Sequence, residues 1–232
     1  MDAGASTETV SYNQRDLLIY ALGIGAPELK FIHEEAEDFS AFPTYPLALA
    51  FKGDSADVVP FPPASLGSLL GSLDGVTVAV DAECSIESLA PLPTRGGSFA
   101  LRTEVCGIEP KASGALVYSE SELISSSGES LARIRSAVFA VGVRAATRQG
   151  VSFSERVPTP TRKADAEVSE TITEQQAHIY RLSGDYNPLH VCPEVAKMSG
   201  FERPILHGRC EGGCLHGREH NESGARGVHN ES

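Results

Sequence analysis

Between Gly71 and Cys84 apolar and polar positions alternate. Val76, Val78, Val80, Ala82 and Cys84 fall on one face and Thr77, Asp81 and Glu83 on the other, the period of a half-buried strand. Further strand-like runs follow at Ser98 to Ile108, Gly114 to Ser119 and Leu131 to Val143, separated by turn material at Pro93 to Gly97 and Pro110 to Gly114. Upstream, Ser11 with Gln14 three residues on offers a capping box for a helix over about 12–22, and Gly23 supplies its stop. One early helix followed by adjacent strands predicts an α+β fold with an antiparallel sheet.

From Arg148 to Glu167 the pattern gives way to Arg, Ser, Lys and Thr around Pro158 and Pro160, so the spacing predicts a linker there and a second unit from about Val168. Thr171 followed by Glu174 predicts the cap of a helix from Glu174 to Leu182 that stops at Ser183-Gly184. The last two dozen residues have many glycines, no apolar period and a repeated His-Asn-Glu-Ser, so no stable structure is expected there. The expected division is 1–147, a linker at 148–167, a second unit at 168–209 and a tail at 210–232.

Composition narrows the function. The chain has 232 residues, 41% apolar and 22% charged, which fits a globular protein and not a fibrous or wholly disordered one. Thirty-one acidic residues against nineteen basic ones give a net charge of −12, a field that repels phosphate backbones and anionic lipid headgroups and argues against nucleic acid and membrane partners. No apolar run is long enough to span a bilayer, and the acidic N-terminus lacks the charge pattern of a secretory signal, so an intracellular protein is expected. Five cysteines, at 84, 106, 192, 210 and 214, suit reduced thiols.

The densest chemistry lies in Tyr180-Arg181-Leu182-Ser183-Gly184-Asp185-Tyr186-Asn187-Pro188-Leu189-His190. Pro188 removes a backbone donor and drives Asn187 out of the helical region, so the segment must turn. Such a turn can aim Asp185 and His190 at one point, where a carboxylate tunes an imidazole that titrates near neutrality and the two handle the protons of one water. The competing reading is that Asp185 merely closes an Asx-turn before Asn187-Pro188. His178, inside the expected helix, reads as structural, and His207, beside Gly208, is ambiguous.

The segment and its continuation through Ala196, Gly200-Phe201 and Pro204-Ile205-Leu206-His207-Gly208 resemble the signature of the MaoC-like (R)-specific enoyl-CoA hydratases, the hydratase-2 group. Tyr20 to Gly25, Leu29 to Ile32 and Phe39 to Tyr45 are similar to the N-terminal half of that family, so the resemblance covers about 12–208. It implies a double hot-dog with a complete N-terminal repeat that houses the acyl chain and a second repeat that carries catalysis. The implied reaction is reversible hydration of trans-2-enoyl-CoA to (3R)-3-hydroxyacyl-CoA. Asp185 and His190 would form the catalytic pair, Asn187 would support their loop, and the Gly208 N–H would bind the thioester oxygen. Arg203 and Tyr186 are the candidate substrate contacts, Arg203 as a cation for the CoA phosphates, although an exposed helix or loop charge is the favoured reading of Arg203. No metal or redox cofactor is expected, because the thioester already acidifies C2. Acyl-CoA is the expected partner, alongside a homodimer, and peroxisomal residence is implied by kinship, the chain ending Asn-Glu-Ser without a targeting tripeptide.

After Gly208 the sequence departs from the family. Arg209-Cys210-Glu211-Gly212-Gly213 puts charge and glycine where a buried helix should begin, at about 1 kcal/mol per helical glycine, so the C-terminal repeat is expected to be incomplete and activity impaired. A catalytically dead acyl-CoA-binding or dimerisation module and an acyl-carrier-protein dehydratase are the competing functions. Cys192 stands where the family carries an acidic or polar residue. Cys210, Cys214, His216 and His220 have zinc-ligand spacing, but the glycines around them supply no scaffold, so the spacing reads as accident.

Overall fold

A computed structural model describes residues 5–210 apart from 64–65, 67–68, 72, 155–158, 165–168 and 170. Strand β1 (Ser6–Asn13) leads directly into helix α1 (Gln14–Gly23). The short helices α2 (Leu29–Ile32) and α3 (Pro46–Lys52) follow. Strands β2 (Val78–Ser88), β3 (Gly96–Lys111), β4 (Gly114–Ile124) and β5 (Ser130–Val141) come next, and then a two-residue strand β6 (Gln149–Gly150). Helices α4 (Glu174–Tyr180) and α5 (Pro193–Met198) flank two single 3₁₀ turns at Arg181–Ser183 and Pro188–His190. The sheet order is β1-β3-β4-β5-β2, with β6 also on β3, and every pairing is antiparallel. The fold is α+β, as the pattern of one helix and successive strands predicts.

The sequence misplaces several boundaries for identifiable reasons. The cap of α1 is Asn13, whose side chain accepts from the Asp16 amide while the Asp16 carboxylate accepts from the Asn13 amide. Ser11 does not cap; it lies opposite Ser98 in β1, a strand whose Thr and Ser positions mask its alternation with buried Val10 and Tyr12. Thr173, not Thr171, precedes α4. The run Val76 to Cys84 does alternate, yet β2 starts at Val78, and Val78 and Val80 are 54% and 49% exposed. They lie on the outermost strand of the sheet, which among the described residues has a neighbour on one side only. The stretch from Arg148 is not all extended linker: β6 pairs with β3, and the Phe153 ring meets the Tyr118 ring edge-on at 6.0 Å.

The main core lies where β1, α1, α2 and α3 meet the ends of β3, β4 and β5. Five aromatic rings knit it: Tyr20 and Tyr12 each meet Tyr45 edge-on at 5.3 and 5.1 Å, Tyr12 stacks on Phe99 at 5.0 Å, and Phe42 tilts over Tyr20 at 6.4 Å. Such pairs add about 0.5–1.5 kcal/mol each beyond the area they bury. Two residues from the C-terminal part, Tyr180 and Cys210, complete this same core. Gly23 admits Tyr180: a β-carbon on Gly23 would stand 2.9 Å from the Tyr180 Cα. The Gln176 amide reaches the carbonyl of Gly23, as does the Cys210 thiol at 3.2 Å. The functional loop after Tyr180 is therefore anchored on α1.

Candidate active site

The loop is built from one helix end and two turns. α4 tightens into the 3₁₀ turn at Arg181–Ser183, and Gly184, with φ 130°, breaks it. Few side chains tolerate that backbone region, and glycine does so at no steric cost. Asp185 follows, and its carboxylate accepts the Asn187 N–H at 3.1 Å. Asn187 in turn caps the Pro188–His190 turn, its side-chain oxygen accepting the Leu189 N–H at 3.0 Å. The Asx-turn reading and the functional one are thus the same geometry: one face of the carboxylate closes the turn and the other remains for chemistry.

The turn carries His190 back beside Asp185. The His190 ring is 8% exposed, and its Nδ1 lies 2.9 Å from the Ile205 carbonyl. A carbonyl can only accept, so Nδ1 carries a proton and donates it to Ile205. His207 joins them from the following segment. It is 1% exposed, its ring stacks on His190 at 3.7 Å and 27°, and its Nε2–H donates to the Asp185 carbonyl at 3.2 Å. Its Nδ1 is buried with no hydrogen-bond partner among the described residues.

Ligand-capable atoms of Asp185, His190 and His207 all lie within 4.8 Å of one another. Bonds of about 2.1 Å around zinc hold neighbouring ligands about 3.5 Å apart. Groups sharing one water through hydrogen bonds of about 2.8 Å stand about 4.6 Å apart. Both spacings fall within that bound, so the three groups can meet at one water or one ion.

Electrostatics separate the three groups. Burial pushes the Asp185 carboxyl above the ordinary carboxylate range, against the pull of the Asn187 N–H, His190 and Arg209, while Asp81 adds to the rise. Burial, with the charge of His190, drives His207 down to about 3, so it is a neutral imidazole at physiological pH.

Of the other sequence candidates, Gly208 opens a helical stretch at 208–210 and is exposed, and its N–H has no hydrogen-bond partner among the described residues. Arg203 is exposed on the preceding loop, and Tyr186 is half-buried, its ring under the Arg181 guanidinium at 4.8 Å. His178 is exposed on α4. Cys192 donates to the Glu194 carboxylate at 3.1 Å. Cys210 is fully buried in the core, and Cys214, His216 and His220 lie outside the described residues.

Sequence reasoning overlooked Arg209 as a partner of the site. Far from interrupting the packing, its guanidinium bonds the Asp81 carboxylate at 3.2 Å and the Leu47 carbonyl at 3.0 Å and sits over the Phe51 ring at 4.8 Å. Asp81 is 128 positions away in sequence, so no local pattern could reveal the pair. Both residues line a cavity of about 650 Å³ between α3 and the sheet, with Leu47, Phe51, Leu101 and Ile134 among its apolar walls.

Residues 10–142 match the MFE-2 hydratase 2 N-terminal domain, and residues 155–230 match the MaoC like domain. The chain belongs to the MaoC-like hydratase 2 family. The second match runs on to residue 230, past the expected end of the resemblance at Gly208. Over 226 residues the chain is 34% identical to "Enoyl-CoA hydratase 2, peroxisomal" of Arabidopsis thaliana, covering 86% of this chain and 68% of that protein. It is also 34% identical, over 220 residues, to "Peroxisomal multifunctional enzyme type 2" of Drosophila melanogaster, covering 89% of this chain and 35% of the relative. A crystal structure of a MaoC-like dehydratase from Phytophthora capsici superposes with a TM-score of 0.86 at 40% identity, covering 93% of this chain and 73% of that one. The chain spans 55% or less of the length of several curated relatives, among them a probable dehydratase of Ajellomyces capsulatus.

Proposed function

We propose that this MaoC-like chain adds water reversibly across the double bond of a trans-2-enoyl-CoA to give a (3R)-3-hydroxyacyl-CoA, as a hydro-lyase of peroxisomal β-oxidation. The observation that carries the reading is the convergence of Asp185 and His190, their ligand-capable atoms within 4.8 Å of each other, with His190 pinned through Nδ1 to the Ile205 carbonyl.

The chemistry follows from the groups present. Attack of water on C3 sends the electron pair of the double bond toward the thioester oxygen as an enolate. The open N–H of Gly208 at a helix start is suited to receive that charge, a contribution of about 3 kcal/mol for one well-placed donor. Asp185 and His190 take one proton from the attacking water and return one to C2, so the reaction is balanced without any other reagent. Such acid–base help is worth about 10²- to 10⁴-fold. A half-buried carboxyl with raised proton affinity beside an imidazole is a pairing suited to proton transfer. The cavity lined by Arg209 and walled by Leu47, Phe51, Leu101 and Ile134 offers apolar surface for the acyl chain in the first of two hot-dog repeats, and Arg203 and Tyr186 would meet the CoA. Kinship supports acyl-CoA as substrate and a homodimer as the assembly.

The test is loss of enoyl absorbance with crotonyl-CoA, and chiral analysis of the product. Turnover that Asp185→Asn abolishes supports the reading. An Asp185→Asn chain as active as the parent would sink it, and acyl-CoA binding without turnover would replace it with a non-catalytic acyl-CoA-binding role.

A further inference from the structure

Resting on the reading above, we infer that His207 is a positioning residue of the hydration site: an uncharged imidazole plate that fixes the ring plane of His190 and the backbone of Asp185 together. Three contacts define that role. The ring covers one face of His190 at 3.7 Å, so His190 cannot rotate away from the Ile205 carbonyl without losing the stack. Its Nε2–H holds the Asp185 carbonyl at 3.2 Å, fixing the main chain from which the carboxylate projects. It also meets the Tyr180 ring, tilted, at 4.9 Å, and Tyr180 is 2% exposed in the main core, so the plate is tied to the packed core.

His207 also precedes Gly208 directly, so whatever fixes its backbone fixes the candidate oxyanion donor. The donor, the carboxylate and the imidazole are thereby referred to a single side chain. Such alignment matters because small misplacements of reacting groups cost up to about 10²-fold in rate.

The position needs histidine and not merely bulk. An apolar ring would keep the stack and drop the N–H, orphaning a buried carbonyl; an amide would keep the donor and drop the plate. The groups facing His207 are His190 and Asp185 of the loop, Tyr180 of α4 and Arg181 of the following turn. A cation there would face the Arg181 guanidinium, so the role requires the neutral form.

The experiment compares His207→Phe, His207→Gln and the exposed-site control His178→Gln in the full chain. Each is read by kcat, KM and the NMR titration of the His190 ring protons. A positioning role predicts that kcat falls about 10- to 100-fold in both His207 variants with KM within about twofold. It also predicts that the His190 titration midpoint shifts in both, and that His178→Gln matches the parent. Parental kcat and an unmoved His190 titration in either His207 variant overturn the inference. So does a loss of kcat that comes with a raised KM and a proportionate fall in melting temperature while the His190 titration stays put, because that is the signature of a purely structural residue. If the parent itself fails to hydrate crotonyl-CoA, the functional reading fails, while the His190 titration still decides whether His207 sets its environment.

Discussion

Gly184 lies so close to α3 that a β-carbon built on it would stand 2.7 Å from the Lys52 amide nitrogen and 2.8 Å from the Lys52 Cα. The residue that introduces Asp185 is thus docked against backbone from the first third of the chain. Lys52 is itself immobile: it is 7% exposed, and its ammonium donates to the carbonyls of Ser11 and Ser55 at 2.8 and 2.6 Å beside the Asp16 carboxylate at 3.5 Å. The loop inherits its position from that buried ammonium.

Gly184→Ala should therefore damage the site and the fold together. The added methyl meets main chain, which cannot swing aside, and φ 130° strains any L side chain. A loss of about 2 kcal/mol or more in urea unfolding is expected, with hydratase activity falling further than the remaining folded fraction explains. An alanine variant within about 0.5 kcal/mol of the parent would mean that the contact is not held in solution.

Asn187 offers a finer probe, because its two roles separate. Alanine removes the cap on the Pro188–His190 turn and should cost about 1 kcal/mol of stability. Aspartate keeps an acceptor for the Leu189 N–H but sets a second negative charge two residues from Asp185. Like charge favours the protonated carboxyl, so Asn187→Asp should raise the proton affinity of Asp185 further and move the corresponding limb of the pH–rate profile upward. Alanine should leave that limb lower than aspartate does; identical profiles for the two variants would contradict the assignment.

The pair Arg209 and Asp81 acts on Asp185 from a distance with opposite signs, Arg209 lowering its proton affinity and Asp81 raising it. Arg209→Gln should move the Asp185 limb of the pH–rate profile to higher pH and Asp81→Asn to lower pH. The second effect is the smaller, since the Asp81 side chain is 54% exposed and screened by water. Shifts of the same sign in both variants would rule out a Coulombic origin.

How much of this was readable in the residues depends on the range of the forces that place them. The loop announces itself because Gly184, Asp185, Asn187 and Pro188 specify their own turn: a left-handed backbone, an Asx closure, a cap and a missing donor all act within a few residues. The strands β3, β4 and β5 are legible for the same reason, since alternation is a local property. What the residues conceal is reciprocity. His207 looks like any histidine beside a glycine until it is seen lying on His190. Arg209 looks like a misplaced charge until Asp81 arrives from β2, and β1 is disguised by threonines that face solvent. The exposed face of β2 fails in the other direction: its valines carry a burial pattern that an outermost strand does not satisfy among the described residues.

Acid should act on this fold through His207. Its proton affinity lies at about 3 in the folded chain against 6.5 for an ordinary histidine, so the unfolded chain binds the extra proton and the folded chain does not. Stability then rises with pH wherever the unfolded state holds more protons; the contribution is full above about pH 6.5 and is lost as pH falls from there toward 3, at up to about 1.4 kcal/mol per unit. Asp185 works against this, because a carboxyl whose folded-state proton affinity is raised gains stability on acidification. The parent alone therefore reports a net slope, and the difference between parent and His207→Phe removes the shared Asp185 slope and leaves the histidine together with the shift it causes at His190. In urea unfolding at pH 7, 6, 5 and 4, the parent should lose stability relative to His207→Phe at each step below pH 6.5, even if the variant is the less stable of the two at pH 7. A gap between the two chains that stays constant from pH 7 to pH 4 would show that His207 takes up its proton in the folded state, and the neutral plate over His190 would have to be abandoned.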